Sequence, residues 1–326
     1  MSSYKPPYTI TSKMVHLISE ISEELTRVEY HKRDIITPQL RKKNRIKTLA
    51  GTLEIEGNFM GEERITAILE GKPVLGTMLE VAEVKGVIEA YKKLEEYRYD
   101  NLDDLLESHR LLLSGILTNA GCFRNVNVGV GGRDGVSHVA PPHGIVPDLM
   151  RDLFDWLKSS DEHPLIKSCV FHYEFEFIHP FSDGNGRIGR LWQSVMLCDW
   201  REVFVVMPTE SIVRDYQKAY YQALEDAGSI GESTPFIEFM LEIIVKSLKG
   251  YIQESVPKNV PKNVPLKRLD EIVALMDKNR EITIMELANI IKVSDKTIKR
   301  DITKLKEKNR VKRVGSLKSG HWEIIE

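Results

Sequence analysis

The twelve residues from His179 to Arg190, His-Pro-Phe-Ser-Asp-Gly-Asn-Gly-Arg-Ile-Gly-Arg, leave this chain few ways to fold around them. Before them, apolar side chains at Leu165, Cys169, Tyr173 and Phe177, with Ile166 and Val170 alongside, repeat at a helical period. After them, Ile188, Leu191, Trp192 and Val195 recur at i, i+3, i+4 and i+7. The stretch is therefore a loop between two helices, with Gly184-Asn185-Gly186 where the second begins.

A helix start with two glycines presents free backbone N–H groups in front of the positive end of the helix dipole, which is an anion site. Phosphate is its natural guest. Arg187 and Arg190, three residues apart on the first turn, supply forked donors for outer phosphates. Asp183 offers a hard oxygen suited to Mg²⁺, which takes one or two carboxylates plus phosphate oxygens and water. His179 is of the residue type whose unperturbed pKa lies near neutrality, and it can accept the proton of an attacking hydroxyl. Each feature alone has a bland reading as a helix stop, a surface turn or a solvated charge. Together, the specified positions recur by chance on the order of once in 10¹⁰ starting points at average residue usage.

This stretch resembles the signature loop of the Fic family, whose better-known members transfer AMP from ATP to a hydroxyl side chain of a protein. The resemblance implies that His179 is the general base and Asp183 holds Mg²⁺. It implies that Gly184, Asn185 and Gly186 bind the phosphates of ATP, with Arg187 and Arg190 on the β- and γ-phosphates. A second likeness lies upstream: Thr52-Leu53-Glu54-Ile55-Glu56-Gly57-Asn58 is similar to the family's inhibitory [ST]-x-x-x-E-[GN] motif. Carried over, Glu56 pairs with Arg190 beside the nucleotide and excludes the γ-phosphate from that guanidinium. The plain alternative is that Glu56 ends a helix before Gly57.

The rest of the chain frames these two motifs. With 326 residues, two or three domains are expected. Hydrophobic residues make up 42% and charged ones 29%, as in soluble globular proteins. No run of 18 apolar residues and no basic-then-apolar leader is seen, so a cytoplasmic protein without a membrane partner is expected. Cys122, Cys169 and Cys198 form no pair pattern and suit a reducing compartment.

Residues 1–10 read as an extended lead-in, and Val15, Ile18, Ile21, Leu25 and Val28 mark an amphipathic helix. Helical stretches follow at 46–59, within the charged segment 61–99, and at Leu102–Leu117. From Arg124 to Pro142 the pattern changes to alternating Val126 and Val128, four glycines between 129 and 135, and Val136 to Val139, which predicts a β-hairpin with a loose tip. In the family a hairpin flap stands here and docks the target segment, placing Val128 and Gly129 near the nucleotide. Tyr220-Tyr221-Gln222-Ala223-Leu224 is similar to the family's Tyr-Tyr-x-x-Leu, which assigns Tyr220 to the adenine. Gly228 stands where the family often has an asparagine, which leaves that contact without a counterpart.

A helix is expected at 235–253. Beyond it, Val-Pro-Lys-Asn repeats with a proline every fourth residue, which no helix tolerates, so 255–265 is a linker. Residues 266–326 hold 15 basic and 10 acidic residues in a chain of net charge −2. Their pattern of three helices and a two-stranded hairpin resembles a winged helix-turn-helix. Lys296, Thr297, Lys299, Arg300 and Lys304 then lie on or near the exposed face of the third helix, where DNA would bind, although winged helices also serve protein contacts.

The expected fold is mainly α: an N-terminal helical region at 1–100 carrying the inhibitory helix near 46–59, a Fic-type core with a hairpin flap at 101–254, the linker, and a small α/β winged helix at 266–326. The expected activity is autoinhibited protein adenylylation, using ATP and Mg²⁺ on a Tyr, Ser or Thr hydroxyl, the chain itself included. Removal of AMP from a modified protein, and a DNA-binding regulator with a Fic sensor domain, stand as alternatives. Target and oligomeric state, a homodimer included, stay open.

Overall fold

The computed structural model describes residues 4–30, 38–132, 135–255, 266–291, 293–308, 310–315 and 320–325. They form two compact units, Met1–Val256 and Pro257–Glu326. Apart from Ser255, the segment assigned to the linker lies outside the described residues, as do residues 316–319 of the expected second hairpin.

The first unit is built on α7 (Pro164–Ile178) and α8 (Asn185–Trp200), which pack against each other. Both are buried around most of their circumference, because neighbours enclose them on several sides. Leu165, Val170, Phe171 and Phe175 of α7 are buried, as are Ile188, Leu191, Trp192 and Val195 of α8. Pro164, with φ already fixed, opens α7, and His179 closes it in a left-handed conformation. Around this pair run α1 (Ser12–Tyr30), α2 (Pro38–Ile55), α3 (Gly61–Leu69), α4 (Met78–Lys92), α5 (Leu102–Leu112) and α6 (Val146–Ser159), then α9 (Thr209–Asp215), α10 (Gln217–Ile230) and α11 (Thr234–Ser255).

Helix α2 starts at Pro38, earlier than the apolar pattern suggested, because its first two turns carry Arg41, Lys42, Lys43 and Arg45 and show no apolar stripe. Its second half is buried from Leu49 to Leu53 and lies against α9, α4 and α8. The fit to α9 is close: a Cβ on Gly51 would stand 2.6 Å from the Ser211 backbone nitrogen. Asn44 Nδ2 donates to the Val206 carbonyl, Arg214 pairs with Glu54 at 2.8 Å, and Gln217 Nε2 donates to the Ile55 carbonyl. Helix α4 opens on a capping box between Thr77 and Glu80. Helix α5 ends at Leu112, five residues short of the expected end, and Gly115 turns the chain with φ +81°.

The hairpin pairs β1 (Gly129–Gly132) with β2 (Gly135–Val139), antiparallel, with a register shift after Val130. The Val126 and Val128 alternation falls before the strand, and Val126 is 54% exposed.

The second unit has its own core of Leu269, Ile272, Met276, Leu287, Ile298, Ile302, Leu305 and Trp322. It contains α12 (Leu266–Lys278), α13 (Ile284–Ile291), α14 (Asp295–Glu307) and the antiparallel strands β3 (Val311–Val314) and β4 (His321–Ile324). Ser294 caps α14, and buried Asp301 pairs with Arg268 at 2.8 Å. Among the described residues no helix is long and apolar enough to cross a membrane.

Candidate active site

The signature loop is held from both sides by its own side chains. Asn185 is 2% exposed, and its amide both donates to the Phe181 carbonyl and accepts from the Phe181 N–H, each at 2.9 Å. That side chain closes the loop and is not presented to a ligand; what Asn185 can offer an anion is its backbone N–H. Gly184 caps α8 at φ +79°, and its N–H donates to Asp183 Oδ1 at 2.6 Å. The first helical bond at this end runs from the Ile188 N–H to the Gly184 carbonyl. The first-turn N–H groups before it have no intrahelical acceptor, the feature that suits a helix start to an anion.

Two residues without a motif support this loop. His109 of α5 stacks on Phe181 with ring centroids 3.7 Å apart. Its Nδ1 accepts from the Gly121 N–H at 2.7 Å, so Nε2 carries the proton and donates to the Asp183 carbonyl at 3.0 Å. Burial pushes its pKa down to about 4, which keeps the ring neutral in that tautomer. Its spacing from Leu105 and Leu112 puts a histidine on the apolar face of α5, the one signal a sequence reading could have used. Glu83 of α4 lies 3.3 Å from Arg187 Nη1, and its other oxygen accepts from Asn58 Nδ2 at 2.8 Å. It thereby joins the end of α2 to the signature helix.

Arg190 is 3% exposed and sits under the end of α2. Its Nη2 donates to Glu56 Oε1 at 2.7 Å, its Nε to Thr52 Oγ1 and its Nη2 to the Thr52 carbonyl, both at 3.3 Å. Burial works against the charge on both partners, yet Arg190 holds the Glu56 carboxyl below its usual range, and Glu56 raises the guanidinium pKa in return. The Glu56 carboxylate passes over Gly186, where a Cβ would come within 2.6 Å of Oε1. It therefore stands over the start of α8. Arg187, 3% exposed, lies 3.4 Å from Asp183 Oδ1 in addition to Glu83.

His179 follows α7 at φ 50° and ψ 59°, the one non-glycine residue with positive φ among the described residues. A left-handed backbone costs roughly 1–2 kcal/mol for a residue with a Cβ, so surrounding contacts must hold it. Its N–H donates to the Phe175 carbonyl at 2.9 Å, and its own carbonyl accepts from Arg124 Nε at 2.8 Å. Val128 is half-buried and Gly129 exposed at the entrance to the hairpin, whose feet the same Arg124 ties to the loop.

Tyr220, expected near the adenine, is turned into the core. It is 1% exposed, and its hydroxyl meets His172 Nε2 at 3.0 Å. His172 donates through Nδ1 to Gln193 Oε1 at 2.7 Å, an assignment supported by Gln193 Nε2 reaching Cys169 Sγ at 3.5 Å. Successive residues on a helix face about 100° apart, so only one of the tyrosine pair can turn inward. The outward one is Tyr221, 46% exposed. In the second unit Lys296, Lys299 and Arg300 are exposed on α14, Lys304 is half-buried, and the Thr297 hydroxyl lies 2.9 Å from the capping Ser294 Oγ.

The Fic/DOC family profile matches residues 99–197, and a DeoR-like helix-turn-helix domain matches 268–318. A protein adenylyltransferase Fic of Culex quinquefasciatus is 30% identical over 233 residues, which are 68% of this chain and 44% of that protein. The protein adenylyltransferase fic-1 of Caenorhabditis elegans is 26% identical over 255 residues, 74% of this chain and 47% of its own length. The chain thus spans less than half of these curated relatives. A crystal structure of a Fic family protein from Desulfovibrio desulfuricans G20 is 35% identical, with a TM-score of 0.75 over 99% of this chain and 98% of that one. The Fic-1 structure from C. elegans is 23% identical, with a TM-score of 0.59 over 74% of this chain and 71% of its own, a likeness of fold alone.

Proposed function

This chain belongs to the Fic family, and on that footing we propose that its first unit is a protein adenylyltransferase held inactive by Glu56. The observation that carries this reading is the Arg190–Glu56 pair lying across Gly186 at the start of α8. A carboxylate occupies a place made for a phosphate.

In the active state ATP lays its triphosphate along the first turn of α8, with the free N–H groups, Arg187 and Arg190 as donors. The target hydroxyl loses its proton to His179 as its oxygen bonds to the α-phosphorus. The bond from that phosphorus to the bridging oxygen breaks, and pyrophosphate leaves. With Glu56 on Arg190, the γ-phosphate has no guanidinium to settle on and the α-phosphate is not presented in line. Tyr221, rather than Tyr220, has the exposure to flank the base of the nucleotide.

Asp183 fits Mg²⁺: its carboxylate is 52% exposed beside the anion site. Among the described residues no group of three or more His, Cys, Asp or Glu could hold a metal on protein ligands alone, so the fitting ion is one that takes phosphate oxygens and water. When bound, it supplies neutralisation of phosphate charge.

Incubation with ATP labelled at the α-phosphate tests the reading. His179→Ala should cut labelling of the chain and of added lysate by about 10²- to 10⁴-fold while ATP binding persists. Labelling that survives this change rules out His179 as the base. For the second unit we propose DNA binding, supported by Lys296, Lys299 and Arg300 on the solvent face of α14, opposite buried Ile298, Ile302 and Leu305.

A further inference from the structure

Arg124 is a buried guanidinium, 3% exposed, whose partners among the described residues are all backbone carbonyls. Its Nε donates to His179 O at 2.8 Å and its Nη1 to Val126 O at 2.9 Å. Its Nη2 donates to Pro141 O and, at 3.4 Å, to Ile178 O. The backbone N–H of Arg124 reaches Pro180 O at 2.9 Å. Burial without a carboxylate lowers its pKa, and the carbonyl dipoles are what offsets the lost hydration of the charge.

The acceptors fall into two sets. Ile178 O and His179 O lie at the C-terminal end of α7, where carbonyls lack intrahelical donors and the dipole favours a cation. Val126 lies three residues before β1, and Pro141 two residues after β2, so their carbonyls are the two feet of the hairpin. One planar group therefore joins the left-handed turn that aims His179 to both legs of the flap. A lysine has a single nitrogen and cannot span carbonyls arranged in this way.

We propose that Arg124 is a positioning residue that fixes the backbone of His179 to the two feet of the hairpin, so that the seating of a target strand on the flap and the aim of the base are set together. This rests on the adenylyltransferase reading for its consequence, and on geometry alone for its existence.

The test uses the full chain carrying Glu56→Gly, with Arg124→Lys or Arg124→Gln added. Transfer from α-labelled ATP with Mg²⁺, read as self-labelling and lysate labelling, should fall at least 30-fold. The dissociation constant for ATP should stay within about twofold and the fold should persist, because the phosphate site is not touched. In parallel, histidines labelled at Cε1 give a His179 resonance, identified by its loss in His179→Ala, and that signal should shift or broaden in both Arg124 variants. Should Glu56→Gly with Arg124 intact transfer no label, the adenylyltransferase reading fails, and the His179 resonance still decides the role of Arg124. An unmoved resonance overturns the proposal. So does transfer within threefold of the parent, loss of ATP binding in step with transfer, or unfolding of both variants.

Discussion

Beneath Arg190 lies a second acid, Glu176, whose Oε1 is buried without a hydrogen-bond partner among the described residues, 3.8 Å from His172 Nε2. Burial pushes its pKa up to about 8, with Arg190 opposing and Glu56 adding to the rise, and burial pushes His172 down to about 3. At neutral pH the contact is a protonated acid beside a neutral ring, not an ion pair. Because the folded state keeps a proton that the unfolded state gives up, stability from this group is fully present below the unfolded pKa. It is lost as pH rises towards 8. Glu176→Gln should remove that loss, so its advantage in thermal or urea unfolding grows from pH 5 to pH 8 and reaches roughly 2–4 kcal/mol. A difference that is flat with pH would show that Glu176 is already ionised in the fold. At this scale the sequence displays the residues that carry a motif. His109, Glu83 and Arg124 stay hidden because each acts through partners distant in the chain, and the choice between Tyr220 and Tyr221 needs the helix rotation that only packing provides.

At the scale of elements, α1, the second half of α2, α5, α7, α8 and α11 are legible from apolar periodicity, and the hairpin from its glycines and the run Val136 to Val139, whereas α6, α9 and α10 go unread. Helix ends are not legible. The polar first turns of α2 have no apolar stripe to read, and α5 stops where Leu112 meets α4: a Cβ on Gly86 would collide with its carbonyl. The seating of α2 decides where Glu56 lies, and it depends on a backbone approach at Gly51. Gly51→Ala places a Cβ 2.6 to 2.8 Å from backbone atoms of Glu210 and Ser211, which a flexible side chain cannot relieve. Overpacking of this kind costs about 1–3 kcal/mol. Pushed off α9, the helix should carry Glu56 away from Arg190, so self-labelling should rise in a protein of lower melting temperature. Reduced stability with unchanged labelling would mean that Glu56 reaches Arg190 whatever the seating of α2.

For the whole molecule, length predicts two or three domains, and the chain divides into two units, Met1–Val256 and Pro257–Glu326. Residues 266–326, with 15 basic and 10 acidic residues in a chain of net charge −2, are positive by sequence counting alone, while the burial of Asp301 against Arg268 is visible only in the fold. On duplex DNA, the full chain with Lys296, Lys299 and Arg300 changed to alanine should lose affinity. Its log–log salt dependence should flatten by about 0.9 for each phosphate contact removed, read by fluorescence anisotropy. An unchanged slope would favour protein contacts for this surface. The first unit brings together residues that stand 134 positions apart, Glu56 and Arg190, and the proposed inhibition rests on that long-range closure. A charge-assisted bond of this kind contributes about 1.5–3 kcal/mol, so its removal corresponds to one to two orders of magnitude in rate. The decisive measurement is label incorporation from α-labelled ATP by wild type, Glu56→Gly, and Glu56→Gly with Arg190→Ala. Inhibition by the pair predicts a rise of about 10- to 100-fold in the single variant and its loss in the double. Equal labelling of wild type and Glu56→Gly, with His179 still required, would contradict it and leave Glu56 as the end of a helix.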